Sequence, residues 1–192
     1  MKELIKKAVK ATLGDYAIYH VYSLLATKER VPAPINADVC FVAVELTQVE
    51  ESAEELMREQ KAYHGQETFA FACTDNNQIV GLCYFWHGNR YKKRNFWPLS
   101  EGEAKLVQIV IAPQMRGRGL APQLIEFSTN AMFEAGFKTL YARIWHSNLP
   151  SIRSFERARW KQAATVVEVN PLRRKRPWRF EFKTFQKVQG NK

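Results

Sequence analysis

Long apolar runs, paired cysteines and an excess of acid are all missing from this chain. No stretch approaches the roughly 20 apolar residues of a membrane-spanning helix, so the sequence predicts no transmembrane segment. Lysines at positions 2, 6, 7 and 10 are scattered through the N-terminus with no uninterrupted apolar stretch after them, which predicts no secretory leader. The three cysteines, Cys40, Cys73 and Cys83, are odd in number, sit in apolar strand-like runs and never form a Cys-x-x-Cys pair. A disulfide framework and a thiolate metal centre are thereby excluded, no metal site is expected, and a reducing, cytoplasmic setting is. Acid is short as well: 19 acidic against 29 basic residues give a formal charge of +10. Such a balance attracts an acidic partner, whether nucleic acid, an anionic membrane surface or a phosphorylated small molecule, and charge alone does not choose among them.

What is present suits one globular domain, since 192 residues with 46% hydrophobic content suffice for a single core. Residues 2–13 interleave Leu4, Ile5, Ala8 and Val9 with lysines, the pattern of an amphipathic helix ended by Gly14. Tyr16 to Leu25 fits either a strand or a helix, and Pro32 and Pro34 mark a linker. Then follow a strand over 39–46, a helix over 50–63, a hairpin of strands 68–74 and 78–86, and a polar, aromatic loop over 87–102. Beyond that the order is strand 105–111, a helix to about Ala135, strand 139–145, helix 150–157, and strands 161–169 and 179–185. Hairpins mixed with a crossover predict an α/β fold with a mixed sheet.

The stretch from Ile109 to Pro122 carries the strongest chemical signal. Three apolar residues run into a turn containing Pro113, Gly117 and Gly119, and helical periodicity begins directly after it. Glycines there let the backbone approach a ligand, while the first N–H groups of the helix have no partner of their own, so the turn is a seat for an anion. Arg116 and Arg118 add side-chain charge suited to phosphate. Neither the Gly-Lys-Ser/Thr of a nucleoside triphosphatase nor the Gly-x-Gly-x-x-Gly of a dinucleotide fold is present.

The spacing Gln114-x-x-Gly117-x-Gly119 between a strand and a helix resembles the acetyl-CoA pyrophosphate motif of the GNAT N-acetyltransferase superfamily. A second block, Asn148-x-x-Ser151-x-x-x-Phe155-x-x-x-Arg159-Trp160, is similar to that family's Asn-x-x-Ala/Ser-x-x-x-Tyr-x-x-x-Gly-Phe. The resemblance implies a GNAT fold, a mixed and mostly antiparallel central sheet flanked by helices, with an extra N-terminal helical segment. It divides the single domain into an N-terminal extension packing on the core, residues 1–35, and an acetyltransferase region, 36–192. By the same resemblance acetyl-CoA is the co-substrate, Ile109 and Ile111 offer backbone groups to its pantetheine arm, and Gln114, Met115, Arg116, Gly117, Arg118, Gly119, Leu120 and Ala121 hold its pyrophosphate. Asn148 hydrogen-bonds the cofactor, with Ser151 and Phe155 beside it.

Two departures bear on mechanism. Phe155 stands where many members carry a tyrosine that protonates the departing thiolate, and Arg159 replaces a glycine. Tyr84 and Tyr141 are alternative acids, though a strand tyrosine is more often core. Glu103, just before the central strand, is the first expected base, with a solvated loop carboxylate as the competing account; His87 and His146, at strand ends, rank second. Phe96 and Trp97 form an aromatic acceptor wall or fold back on the core, and Arg173 to Arg176 form a solvated hairpin tip or a phosphate clamp. The expected reaction is acetylation of a primary amine on a small molecule, with an amino sugar or nucleotide-linked amino sugar as the acceptor to test. The rivals are an acetyltransferase for protein or charged tRNA, nucleic acid being the less favoured partner, and a non-catalytic CoA-binding module. A homodimer is compatible with all three.

Overall fold

The computed structural model describes residues 15–26, 39–92, 97–170 and 177–184. Eight strands make one sheet: β1 (Asp15–Leu25), β2 (Val39–Ala43), β3 (Thr68–Asp75), β4 (Gln78–Trp86), β5 (Glu103–Ile111), β6 (Thr139–Trp145), β7 (Lys161–Asn170) and β8 (Trp178–Lys183). Their spatial order is β2-β3-β4-β5-β6-β1-β7-β8. Every neighbouring pair is antiparallel except β5 with β6. That parallel pair needs a crossover, and the helix over Leu120–Glu134 supplies it. In chain order the helices are α1 (Leu46–Glu50), α2 (Glu55–Arg58), α3 (Gly88–Lys92), α4 (Leu120–Glu134) and α5 (Leu149–Arg157). The expected mixed, mostly antiparallel sheet flanked by helices is the observed fold.

Apolar spacing explains how α4 sits. Leu120, Leu124, Ile125 and Met132 are all buried, and the core cluster they belong to includes Phe71, Cys83, Phe85 and Leu106 of the sheet. Each such side chain removed from water contributes about 1.5–3 kcal/mol. The polar groups on this face are paired: Ser128 donates to the Ile125 carbonyl at 3.1 Å, and Trp160 donates its indole N–H to Thr129 at 3.3 Å. Gly136, with φ of 95°, then ends the helix while the Phe137 N–H returns to the Met132 carbonyl at 3.2 Å. A second, smaller cluster covers the other face: Tyr19, Val21, Trp86, Tyr91, Ala164 and Val166.

That second cluster settles the segment from Tyr16 to Leu25. It is an interior strand, held between β6 and β7, with Tyr19 and Val21 turned into the smaller cluster. Tyr22, the next residue along the strand, points to the opposite face and joins the main core. A strand buried on both faces shows no clean alternation, which is why its sequence fits two patterns.

Three expectations are corrected. The single helix over 50–63 is instead α1, a break at 51–54, α2 and a 3-10 turn over Glu59–Tyr63. Arg58 fixes the break by donating to the Ser52 and Ala53 carbonyls at 2.6 and 2.8 Å. The strand over 39–46 ends at Ala43, and the loop over 87–102 contains α3. The helix expected over 2–13, the Pro32–Pro34 linker, Phe96 and the Arg173 to Arg176 run lie outside the described residues.

Candidate active site

The site begins with one extra residue. Tyr84 pairs with Gln108 but Phe85 pairs with Leu106, so Val107 is an insertion in β5 relative to β4. A bulge of this kind bends its strand and ends the ladder. Pairing between β5 and β6 accordingly runs from Glu103↔Thr139 to Leu106↔Ala142 and stops. Past that point the two central strands splay.

The backbone of β5 faces the opening. The Ala112 N–H donates to the Val80 carbonyl of β4 at 2.8 Å, and alternation along the ladder turns the N–H and C=O groups of Ile109 and Ile111 the other way. Arg116 reports the same direction, since its Nε donates to the Ile111 carbonyl at 3.1 Å.

Two cavities meet at this opening. The first, about 490 Å³, runs from β5 along the glycine turn to the start of α4. It is lined by Ile109, Ile111, Met115, Arg116, Gly117, Gly119, Leu120 and Ala121, with Asn148, Ser151 and Phe155 opposite. Gly117 and Gly119 have φ of 79° and 75°, and a Cβ built on Gly117 would meet no atom within 4 Å. The positive φ, the open space above the glycine and the start of a 15-residue helix together fit a pyrophosphate. Two expected cofactor residues fall outside this lining. The Gln114 side chain donates to the Glu54 carboxylate, and Arg118 is exposed.

The second cavity, about 500 Å³, is lined by Tyr63, Lys105, Gln108, Arg143 and Trp145 among others, and shares Ile109, Asn148, Ser151 and Phe155 with the first. Gln108 donates to Gln60 at 2.7 Å, which fixes its amide beside the bulge. Phe155 is 2% exposed and packs edge-on against Trp160 at 5.1 Å. Asn148 caps α5, its Oδ1 accepting from the Ser151 N–H at 3.3 Å, so that oxygen already has a partner. Arg159, in the glycine position of the second motif, takes the left-handed conformation itself, with φ of 64°.

The three expected bases are not in this cavity. Glu103 sits at the far end of β5, where Oε2 accepts from the Ser100 N–H at 2.7 Å and Oε1 from the Tyr141 hydroxyl at 3.3 Å. Four residues of strand, roughly 13 Å, separate it from the bulge. It lines a separate cavity together with His87, whose ring packs on Phe137 at 5.1 Å. His146 points its Nδ1 at the Ile18 carbonyl, 3.0 Å away, and lines neither main cavity. The alternative acids fare no better. Burial pushes the Tyr84 hydroxyl up to about 12, and burial followed by the Glu103 carboxylate raises that of Tyr141, which is bonded to Glu103. Neither lines the opening. Trp97 folds back on the sheet against Tyr141 at 5.9 Å, with Tyr91 donating to its carbonyl at 2.8 Å, so this ring takes the second of the two expected courses. Lys105, Gln108, Arg143 and Tyr63 were the residues that sequence reading missed. The signal for two of them was a charge and an amide inside an otherwise apolar strand.

A strand pair that splays at a bulge, with an anion seat on one side and a polar cavity on the other, is the layout that the resemblance to the GNAT superfamily implies. The model of the acetyltransferase (GNAT) family matches residues 37–159, more than half of the chain, and the chain belongs to that family, with acetyl-CoA as co-substrate. No match was found among curated protein sequences. Solved structures share the fold. A GCN5-related N-acetyltransferase from Sphaerobacter thermophilus superposes with a TM-score of 0.57 at 13% identity, over 98% of this chain and 59% of that one. A GNAT-family acetyltransferase from Colwellia psychrerythraea gives 0.55 at 17%, over 94% and 62%, and one from Kribbella flavida gives 0.54 at 13%, over 86% and 62%. This chain therefore spans about six-tenths of the length of those proteins. Among the described residues no helix is long and apolar enough to cross a membrane, and no cluster of metal-ligating side chains occurs.

Proposed function

We propose that this chain transfers the acetyl group of acetyl-CoA to a primary amine of a small molecule by direct attack, within one domain to which residues 1–35 contribute a strand. The observation that carries the reading is the shared wall: Ile109, Asn148, Ser151 and Phe155 border both cavities, so a thioester held along the glycine turn meets an amine held by Lys105, Gln108 and Arg143. Acetyl-CoA supplies the activated carbonyl. The N–H groups of Ile109 and Ile111 face the opening, where a developing oxyanion needs donors. The amine nitrogen forms a bond to the acetyl carbon, the C–S bond breaks, and the amine gives up a proton while the thiolate gains one. No Asp, Glu or His lines the acceptor cavity among the described residues. The free amine is instead favoured by the positive charge of Lys105 and Arg143, which disfavours an ammonium beside them. Phe155 has no proton to give, so the thiolate takes its proton from solvent or from the attacking nitrogen, which is an ammonium in the tetrahedral intermediate.

An amino sugar or nucleotide-linked amino sugar remains the acceptor to test first. Trp145, 46% exposed at the mouth of the cavity, offers a ring face of the kind sugars stack on. Calorimetric titration with acetyl-CoA, followed by thiol release with an amine panel, tests the reading. Failure of acetyl-CoA to bind sinks it, and thermal stabilisation by polyamines but not by nucleotide sugars sinks the acceptor assignment.

A further inference from the structure

One face of the sheet's outer third is apolar and exposed. Strands β1, β7 and β8 form three cross-strand rows there: Tyr16 with Val169 and Trp178, Ile18 with Val167 and Phe180, and His20 with Thr165 and Phe182. Residues paired across a ladder share a face. The rows are therefore one patch, apolar except for His20 and Thr165, whose side chains bond each other at 3.0 Å. Tyr16, Phe180 and Phe182 are 64%, 49% and 61% exposed. The reverse face of the same strands is polar and paired: Arg179 meets Glu168 at 2.6 Å, and Tyr19 donates to that carboxylate at 2.9 Å. Apolar and charged residues thus alternate along β8, the pattern of a strand with one face to cover and one to leave in water. Helix α5 meets the sheet at Tyr22, two residues beyond His20, through Phe155.

The chain carries a segment whose length, pattern and attachment suit this patch. Residues 2–13 precede β1 and are joined to it through Gly14 alone. The strand begins at Asp15, which pairs with Asn170 at the edge of the first row. On a helix of about 100° per residue, Leu4, Ile5, Ala8 and Ala11 fall within an arc of roughly 120°. Lys2, Lys6, Lys7 and Lys10 fall on the other side. Twelve helical residues are about 18 Å long, and a helix is about 10 Å across. The rows run about 13 Å along the strands, and the three strands span about 10 Å. A one-residue tether also gives the segment a high effective concentration, which a second copy lacks. Residues 171–176 and 185–192 are mostly basic or polar, and residues 27–38 begin beyond the far end of β1.

We propose that residues 2–13 fold as a helix that reverses at Gly14 and lies across this patch, with its apolar side on Tyr16, Val167, Phe180 and Phe182 and its lysines in water. The seat has a bearing on the site described above. Tyr19 projects from the reverse face of β1 and meets the ring of Trp145, which lines the acceptor cavity, so the segment backs the strand that supports that wall. The proposal does not depend on the acetyl-transfer reading.

Amide hydrogen exchange on the full chain tests it. The amides of residues 5–13 are expected to exchange at least about 10-fold more slowly than in a free peptide of the same sequence. Phe180→Glu and, separately, Ile5→Glu should each abolish that protection and lower the melting temperature by at least about 4 °C. Lys7→Gln, on the opposite side of the helix, should change neither. Ile5→Ala and Phe180→Ala combined should shift the unfolding constant by at least about twofold less than the product of the single effects, as residues in contact do. Ile5→Glu leaves the sheet intact, so it decides the matter if Phe180→Glu does not fold. Unprotected amides, additive effects, or Ile5→Glu without consequence overturn the proposal. So does protection that fades on dilution together with a dimer seen by light scattering, which gives the patch to a second copy. Protection that appears only with anionic phospholipid vesicles overturns it too, and gives the patch to a lipid surface.

Discussion

The two cavities differ little in size, about 490 and 500 Å³, and differ sharply in how they are built. The cofactor side is made largely of backbone from one contiguous stretch, Ile109 to Ala121, where two glycines and the first turn of α4 do the work. The acceptor side is made of side chains from places far apart: Tyr63 after the 3-10 turn, Lys105 and Gln108 on β5, Arg143 and Trp145 on β6. A ligand bound through backbone geometry leaves a spaced motif in the sequence. A ligand bound by side chains gathered from distant strands leaves none.

Breaking the wall between the two has the largest expected effect. Phe155→Ala removes a buried ring from contact with Trp160 and Tyr22 and joins the cavities. Equilibrium denaturation should show a loss of about 3–5 kcal/mol, the usual cost of deleting a core phenylalanine. Next comes the cofactor side alone. At φ of 75°, Gly119→Val forces a β-branched residue into the left-handed region. Calorimetry should show acetyl-CoA affinity falling about 10-fold or more while binding of the acceptor is unchanged, and equal loss at both would erase the distinction between the two sides.

A smaller effect probes the motif's departure at Arg159. Its φ of 64° is tolerated best by glycine, so Arg159→Gly should raise stability by about 1 kcal/mol, read as a higher denaturation midpoint, with kcat/KM unaltered. The smallest concerns Glu103. Glu103→Gln keeps the residue's place in the Ser100 and Tyr141 contacts but removes its charge. The expectation is kcat/KM within about twofold of the parent and a stability cost of about 1 kcal/mol; a loss of 100-fold would return Glu103 to the role of base.

These contrasts also explain what was legible. Short apolar runs bounded by turn signals and one 3.6-residue pattern make the order of strands from β3 to β7 legible, even for β4, which is buried on both faces. The helix break at Ser52 depends on a side chain six residues on, Arg58, and no local pattern encodes such a staple. Glu103 is near the central strand in sequence, whereas the bulge at Val107 sets the opening at the other end of that strand, a distance that sequence spacing alone does not reveal. The bulge itself has no sequence signature, since Val107 is an ordinary strand residue.

The seat of β1 between β6 and β7 has a consequence for how the protein comes into being. Its contacts reach 128 residues ahead, from Ile18 to His146, and 149 residues, from Tyr19 to Glu168. Closing loops of that length is slow compared with zipping a hairpin. During synthesis β2 to β5 can pair as they emerge, while β1 waits for its partners β6 and β7, made after them. The half of the sheet completed last is the one in which Tyr19 and Trp145 stack on Arg143, so folding should be biphasic, and the ability to hold an acceptor should appear only with the second, slower phase.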